Sequence, residues 1–114
     1  MPATLRSQET VSAAVLAEVV RRLVAAARPC RVILFGSQVT GQADAESDVD
    51  LLVVEREVAD RAKEMVRLNR TLRGLALPVD LLVASEALFA RWGDTPGNVY
   101  FAAKHHGRVL YESS

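Results

Sequence analysis

Gly36-Ser37 closes one intensely apolar run of the chain, and Asp48-Val49-Asp50 opens the next. A Gly-Ser turn after a buried strand offers backbone N–H groups and a hydroxyl to a phosphate, and glycine has no Cβ to block the approach. Residues i and i+2 of a strand share a face, so Asp48 and Asp50 are placed to share divalent cations. Mg²⁺ takes oxygen ligands and is usually held by one or two carboxylates together with substrate phosphates. The combination suits transfer of a phosphorylated group from a nucleotide. An acceptor hydroxyl attacks the α-phosphate, pyrophosphate leaves, and two Mg²⁺ ions about 3.5–4 Å apart stabilise the entering and leaving oxygens.

A third carboxylate joins them through an internal echo. Val49-Asp50-Leu51-Leu52-Val53 and Val79-Asp80-Leu81-Leu82-Val83 are identical pentapeptides. An aspartate within so apolar a run is costly to bury unless it is hydrogen-bonded or binds metal. Two buried strands of one sheet can converge on such a composition, but a repeated anomaly favours function. Asp80 is therefore expected beside Asp50 near the start of a neighbouring strand, as a further metal ligand or a general base.

The elements that must position these groups follow from periodicity. Leu16, Val19, Val20, Leu23, Val24 and Ala27 recur at helical spacing, and Pro29 stops that helix. Val32-Ile33-Leu34-Phe35 is a continuous apolar run, as expected of a strand covered on both faces. Residues 36–47 read as loop and 49–54 as the second buried strand. A helix is predicted over Glu57–Arg73, with Val58, Ala62, Met65, Leu68 and Leu72 inward and Gly74 as its stop. Pro78–Ala84 reads as a third strand, and Ser85 caps a short helix running toward Trp92. Thr95-Pro96 resembles an N-cap followed by proline at the first helical position. That last helix carries Val99, Ala102 and Ala103 inward and ends at Gly107, before a short edge strand at Arg108–Tyr111.

The chain of 114 residues is expected to form one domain, 1–114, with 1–8 a flexible leader. Half of its residues are hydrophobic, and 14 Lys and Arg balance 14 Asp and Glu. Zero net charge argues against a general nucleic-acid binder, whose affinity comes from neutralising phosphates. The lone Cys30 allows no internal disulfide and fits a reducing cytoplasm, with inert packing as its expected role. No stretch approaches the roughly 20 apolar residues of a membrane span.

Leu34-Phe35-Gly36-Ser37, then Gly41, then Ser47-Asp48-Val49-Asp50-Leu51-Leu52-Val53 resembles the signature of the minimal nucleotidyltransferases. These are small members of the polymerase-beta-like nucleotidyltransferase superfamily. The resemblance extends over most of the chain and takes in Asp80 and the Gly107–Tyr111 ending. It implies an α/β (α+β) fold, a small mixed sheet flanked by helices, with Mg²⁺ and with ATP as nucleotide donor. On that pattern Gly36 and Ser37 form the phosphate-binding turn, Asp48 and Asp50 are the metal ligands, and Asp80 is the third acid. Gln38 and Thr40 stand where members commonly carry arginine, which weakens the polyphosphate grip or leaves it to a partner.

Such domains are also similar to the antitoxin half of two-gene modules whose other half is a HEPN-domain toxin. Some members attach AMP to a tyrosine of that toxin. So short a chain is expected to need its acceptor hydroxyl presented by something else, with a protein acceptor preferred over a small molecule or an RNA end. Two rival readings stand beside this one: a binding module of the same fold that neutralises its partner by occlusion, and a small-molecule nucleotidyltransferase. A homo- or hetero-oligomer is compatible with both.

The remaining charged residues have plainer expectations. Arg61, Lys63, Arg67, Arg70 and Arg73 are expected on a solvated helix face, ahead of a surface that docks an acidic partner. His105 and His106 suit the C-terminal end of a helix dipole better than a metal. Asp44 and Glu46 are expected solvated, and Trp92 and Tyr100 are packing groups facing either the core or a partner.

Overall fold

In the computed structural model, which describes residues 13–36, 49–75 and 79–113, the first apolar periodicity becomes helix α1 (Ala13–Ala27). Val19 and Leu23 are its fully buried pair. Arg28 follows with φ 47°, and its N–H bonds Val24 O at 3.0 Å. This left-handed residue closes the helix, and Pro29 prevents it from resuming.

Strand β1 (Arg31–Phe35) then enters the sheet, followed by β2 (Val49–Glu55), which pairs antiparallel with it. Strand β3 (Val79–Ser85) runs parallel to β2, and β4 (Arg108–Glu112) runs antiparallel to β1. The four-stranded sheet has the order β3-β2-β1-β4 and is mixed. A parallel pair needs a long crossover, which here contains helix α2 (Arg61–Thr71). Helices α3 (Glu86–Trp92) and α4 (Val99–His106) complete the described elements.

The sheet separates two apolar clusters. Val32 and Leu34 of β1 pack with Val19 and Leu23 of α1 and Leu68 of α2. Ile33 and Phe35 face the other way, toward Phe89 of α3 and Ala103 of α4. Alternation along β1 thus serves two cores, which is why that run is apolar throughout. The strand expectations hold to within a residue, and Pro78 lies outside the described residues.

Strand β4 carries a bulge. Val32 pairs with Tyr111 and Ile33 with Val109, so Leu110 is an extra residue in the ladder. Both Leu110 and Tyr111 then pack against the α1 side of the sheet.

Two helix starts differ from expectation, both because a better capping side chain lies further on. Helix α2 begins at Arg61 rather than Glu57, since Asp60 is extended and its carboxylate accepts from Lys63 N–H at 3.1 Å. Val58, ahead of the cap, still packs on the core, but Ala62 is exposed. Helix α4 begins at Val99, not at Pro96: Asn98 is the N-cap, accepting from Phe101 N–H at 3.0 Å. The Asn98 amide also donates to Thr95 O at 2.7 Å and Trp92 O at 3.2 Å, so one side chain both starts the helix and ties the preceding turn. Asn98→Ala is expected to cost about 1–2 kcal/mol, measured as a lowered urea midpoint. An unchanged midpoint would show that Thr95-Pro96 caps after all.

The cationic face is exposed as expected, at Arg61, Lys63, Arg67, Arg70 and Arg73 alike. Two of these arginines are also anchored. Arg61 donates to Val83 O at 2.9 Å and to the Tyr100 hydroxyl at 3.0 Å. Strand β3 is an edge, so Arg61 covers a carbonyl near its otherwise open side. Arg67 grips Glu64 through two bonds of 2.9 and 2.7 Å and donates to Ala26 O at 3.0 Å, linking α2 to the end of α1.

Candidate functional site

Gly36 leaves β1 with φ +81°, in the left-handed region that favours glycine. A Cβ added there would run into Oδ2 of Asp50 and lie 3.2 Å from its Cγ. The contact follows from register: Asp50 pairs with Phe35, the residue just before Gly36. The bare glycine Cα is therefore the surface against which the half-buried Asp50 carboxylate rests.

On the other side of β2, Asp50 pairs with Asp80. The two identical pentapeptides lie in register, each residue beside its twin from Val49↔Val79 to Val53↔Val83. Paired residues of neighbouring strands share a face, with strands about 4.8 Å apart. Two carboxylates are thus presented side by side, Asp50 half-buried and Asp80 exposed. The expectation of equivalent positions on adjacent strands is met. Ser37, Gln38, Thr40, Asp44, Glu46 and Asp48 lie outside the described residues.

Two adjacent carboxylates, one of them resting on a bare glycine Cα, form an all-oxygen donor set compatible with Mg²⁺. Among the described residues, no three His, Cys, Asp or Glu side chains are grouped to hold a cation by themselves.

A second carboxylate cluster was not singled out from the sequence. Glu55 ends β2 on the opposite face from Asp50, about 16 Å along the strand. It is 9 % exposed, and its Oε2 has no hydrogen-bond partner among the described residues. Burial, then the neighbouring Glu64 carboxylate, pushes Glu55 up to about 8, while Arg67 opposes this. The same Arg67 holds Glu64 below the ordinary range, so Glu64 carries the charge and Glu55 the proton. The signal was available: a glutamate directly after Val53-Val54 is as anomalous as the aspartates.

The consequence for stability has a definite sign. The folded state holds a proton on Glu55 that the unfolded chain releases near 4.5. Wild-type stability should therefore fall as pH rises from about 4.5 to about 8, and level off above. Glu55→Gln should lack that component and exceed wild type by at least about 1 kcal/mol at pH 8. Parallel denaturation curves for the two proteins would contradict this.

The other singled-out groups have local roles. His105 Nε2 lies 2.8 Å from Asp94 Oδ1, and Lys104 takes the other oxygen at 2.9 Å. Burial raises the Cys30 thiol, which keeps it protonated and inert. Trp92 is 39 % exposed under the Arg91 guanidinium, and Tyr100 is half-buried. Among the described residues, no helix is long and apolar enough to cross a membrane.

No protein of curated function matches the chain in sequence. In structure it resembles a Sulfolobus solfataricus protein provisionally assigned as a nucleotidyltransferase, with a TM-score of 0.61 and 20 % identity. The match covers 87 % of this chain and 78 % of that one, and at this identity it speaks for the fold alone. The family model for the nucleotidyltransferase domain matches residues 15–107, a span that runs from α1 to the end of α4 and contains Gly36, Asp50 and Asp80. With that match over most of its length, and with the mixed sheet to go with it, the chain belongs to the nucleotidyltransferase domain family.

Proposed function

We propose that this protein is a Mg²⁺-dependent nucleotidyltransferase that moves AMP from ATP to a hydroxyl of a partner protein. The preferred acceptor is a tyrosine of a HEPN-domain toxin, which makes the chain an antitoxin. The observation that carries the reading is the pair Asp50 and Asp80, in register on parallel strands, with Gly36 against Asp50. Asp50, together with Asp48, would hold the metal, and Gly36-Ser37 would receive the phosphates. When bound, Mg²⁺ neutralises charge developing on the transferred phosphoryl group and its leaving oxygen. Asp80, exposed on the same face as Asp50, is accessible to an incoming hydroxyl and serves as ligand or proton acceptor. In the reaction a bond forms between the acceptor oxygen and the α-phosphorus, the bond to pyrophosphate breaks, and the acceptor proton passes to a carboxylate.

Incubation with α-labelled ATP, Mg²⁺ and the protein encoded by the neighbouring gene tests the proposal. Label should appear on that protein, require the metal, and vanish with tyrosine-to-phenylalanine substitution of the acceptor. Label on a small molecule instead, or none at all, would overturn the acceptor assignment.

One feature favours a second reading: Gln38 and Thr40 leave the phosphate turn without the arginines common in similar chains. The chain would then act by occlusion. Co-expression separates the two, because an Asp50→Ala plus Asp80→Ala variant that still neutralises its partner fully would show that binding suffices.

A further inference from the structure

An apolar concavity lies away from the aspartates, between α1 and the edge strand β4. Its volume is about 650 Å³, and its floor is formed by Leu16, Val20 and Val24 of α1 with Leu110 and Tyr111 of β4. The bulge builds this floor, because the extra residue turns two consecutive apolar side chains toward α1. A regular strand would have sent one of them to the other face.

Charge distinguishes this groove from an unfilled gap. Among the described residues, the charged side chains lining it are Arg21 and Arg108, with no carboxylate. Arg21 and Arg22 share the single carboxylate of Glu18, at 2.6 and 2.8 Å, so that cluster retains a positive charge. The Arg108 side chain makes no hydrogen bond or ion pair with the described residues and is exposed. Among the described lining residues, a second copy docking groove to groove would set arginines against arginines. In a two-fold interface the same patch faces itself, and like charges set against each other are penalised.

The geometry points to an interaction surface for an amphipathic, carboxylate-bearing helix of a different protein. Its apolar stripe lies on the Leu16–Tyr111 floor, and its acids meet Arg21 and Arg108. This is helix-in-groove recognition, with anchors spaced i, i+3, i+4 and i+7. Arg108 is paired with Leu34, two residues before Gly36, so the occupied groove ends at the same end of the sheet as the glycine and Asp50. The surface does not depend on the transfer chemistry.

Two fluorescein-labelled helical peptides with leucine at those four spacings test it, one flanked by glutamates and its twin by lysines. The acidic peptide should bind the wild-type protein at least tenfold more tightly than the basic one, and should weaken with salt. Arg21→Glu plus Arg108→Glu should reverse the preference. Both positions are exposed, and a thermal melt confirms that the variant folds. Asp50→Asn should bind the acidic peptide as wild type does, which separates this surface from the transfer site. Equal binding of the two peptides, no binding of either, or an unchanged preference in the double variant would overturn the proposal. So would a concentration-dependent dimer that Leu110→Glu abolishes, since a second copy would then be the occupant.

Discussion

Asp50→Asn is expected to lower nucleotidyl transfer about a thousandfold while leaving the fold intact. The amide keeps the shape of the carboxylate, so the contact with Gly36 survives. What disappears is the negative charge facing the proposed metal. Loss of one preorganised electrostatic contact at a reacting centre typically costs 10²–10³ in rate, or about 3–4 kcal/mol of barrier. Removing a metal ligand belongs at the upper end of that range. Stability should move the other way. Asp50 and Asp80 are like charges directly opposite one another, an arrangement that costs a few tenths to about 1 kcal/mol. Neutralising one relieves it, so the inactive variant should melt at or slightly above wild type, as at other sites where function is held against stability. Single-turnover rates with labelled ATP and a thermal melt measure both effects. A loss below tenfold would remove Asp50 from the chemistry, and a lowered melting temperature would identify it as structural.

Gly36→Ala carries the second large effect, through two separable penalties. An L-residue at φ +81° costs about 1–2 kcal/mol of backbone strain. The new methyl also occupies the place of Asp50 Oδ2, so the carboxylate must rotate or the turn must open. Gly74 provides the control. Its φ is +88°, yet a Cβ there would meet nothing within 4 Å. Gly74→Ala should therefore show the backbone cost alone, with transfer unchanged. Gly36→Ala should be destabilised by more than that control and lose activity about a hundredfold, since small misplacement of a reacting group has costs of that size. Equal rates for the two variants would show that Asp50 tolerates displacement.

How much of this was legible beforehand depended on where the information sits. Strands β1 and β2 were readable because they are buried on both faces, so Val32–Phe35 and Leu51–Val54 are unbroken apolar runs. The placement of Asp80 beside Asp50 was readable because the same pentapeptide occurs twice. Helix starts were read less well, since several polar side chains compete to cap and geometry chooses among them. Asp60 displaced Glu57, and Asn98 displaced Thr95, each by reaching an N–H three residues ahead. The roles of Arg61 and Arg67 were hidden because their partners include backbone carbonyls of β3 and α1, and composition says nothing about those. The groove was hidden too, for it exists only once the β4 bulge meets α1.

The twin strands have a consequence beyond catalysis. Identical segments stacked parallel and in register are the building arrangement of amyloid cross-β, and Val-Asp-Leu-Leu-Val already stacks once within this sheet. Its leucines and valines are of the type that zips such fibrils together, and β3 sits at a sheet edge where a further copy of the segment could add. The aspartate in each copy stands against that growth, because every added layer would extend a ladder of like charge. The residues proposed to capture metal therefore also oppose fibrillar stacking of this segment, and this second duty needs no nucleotide at all.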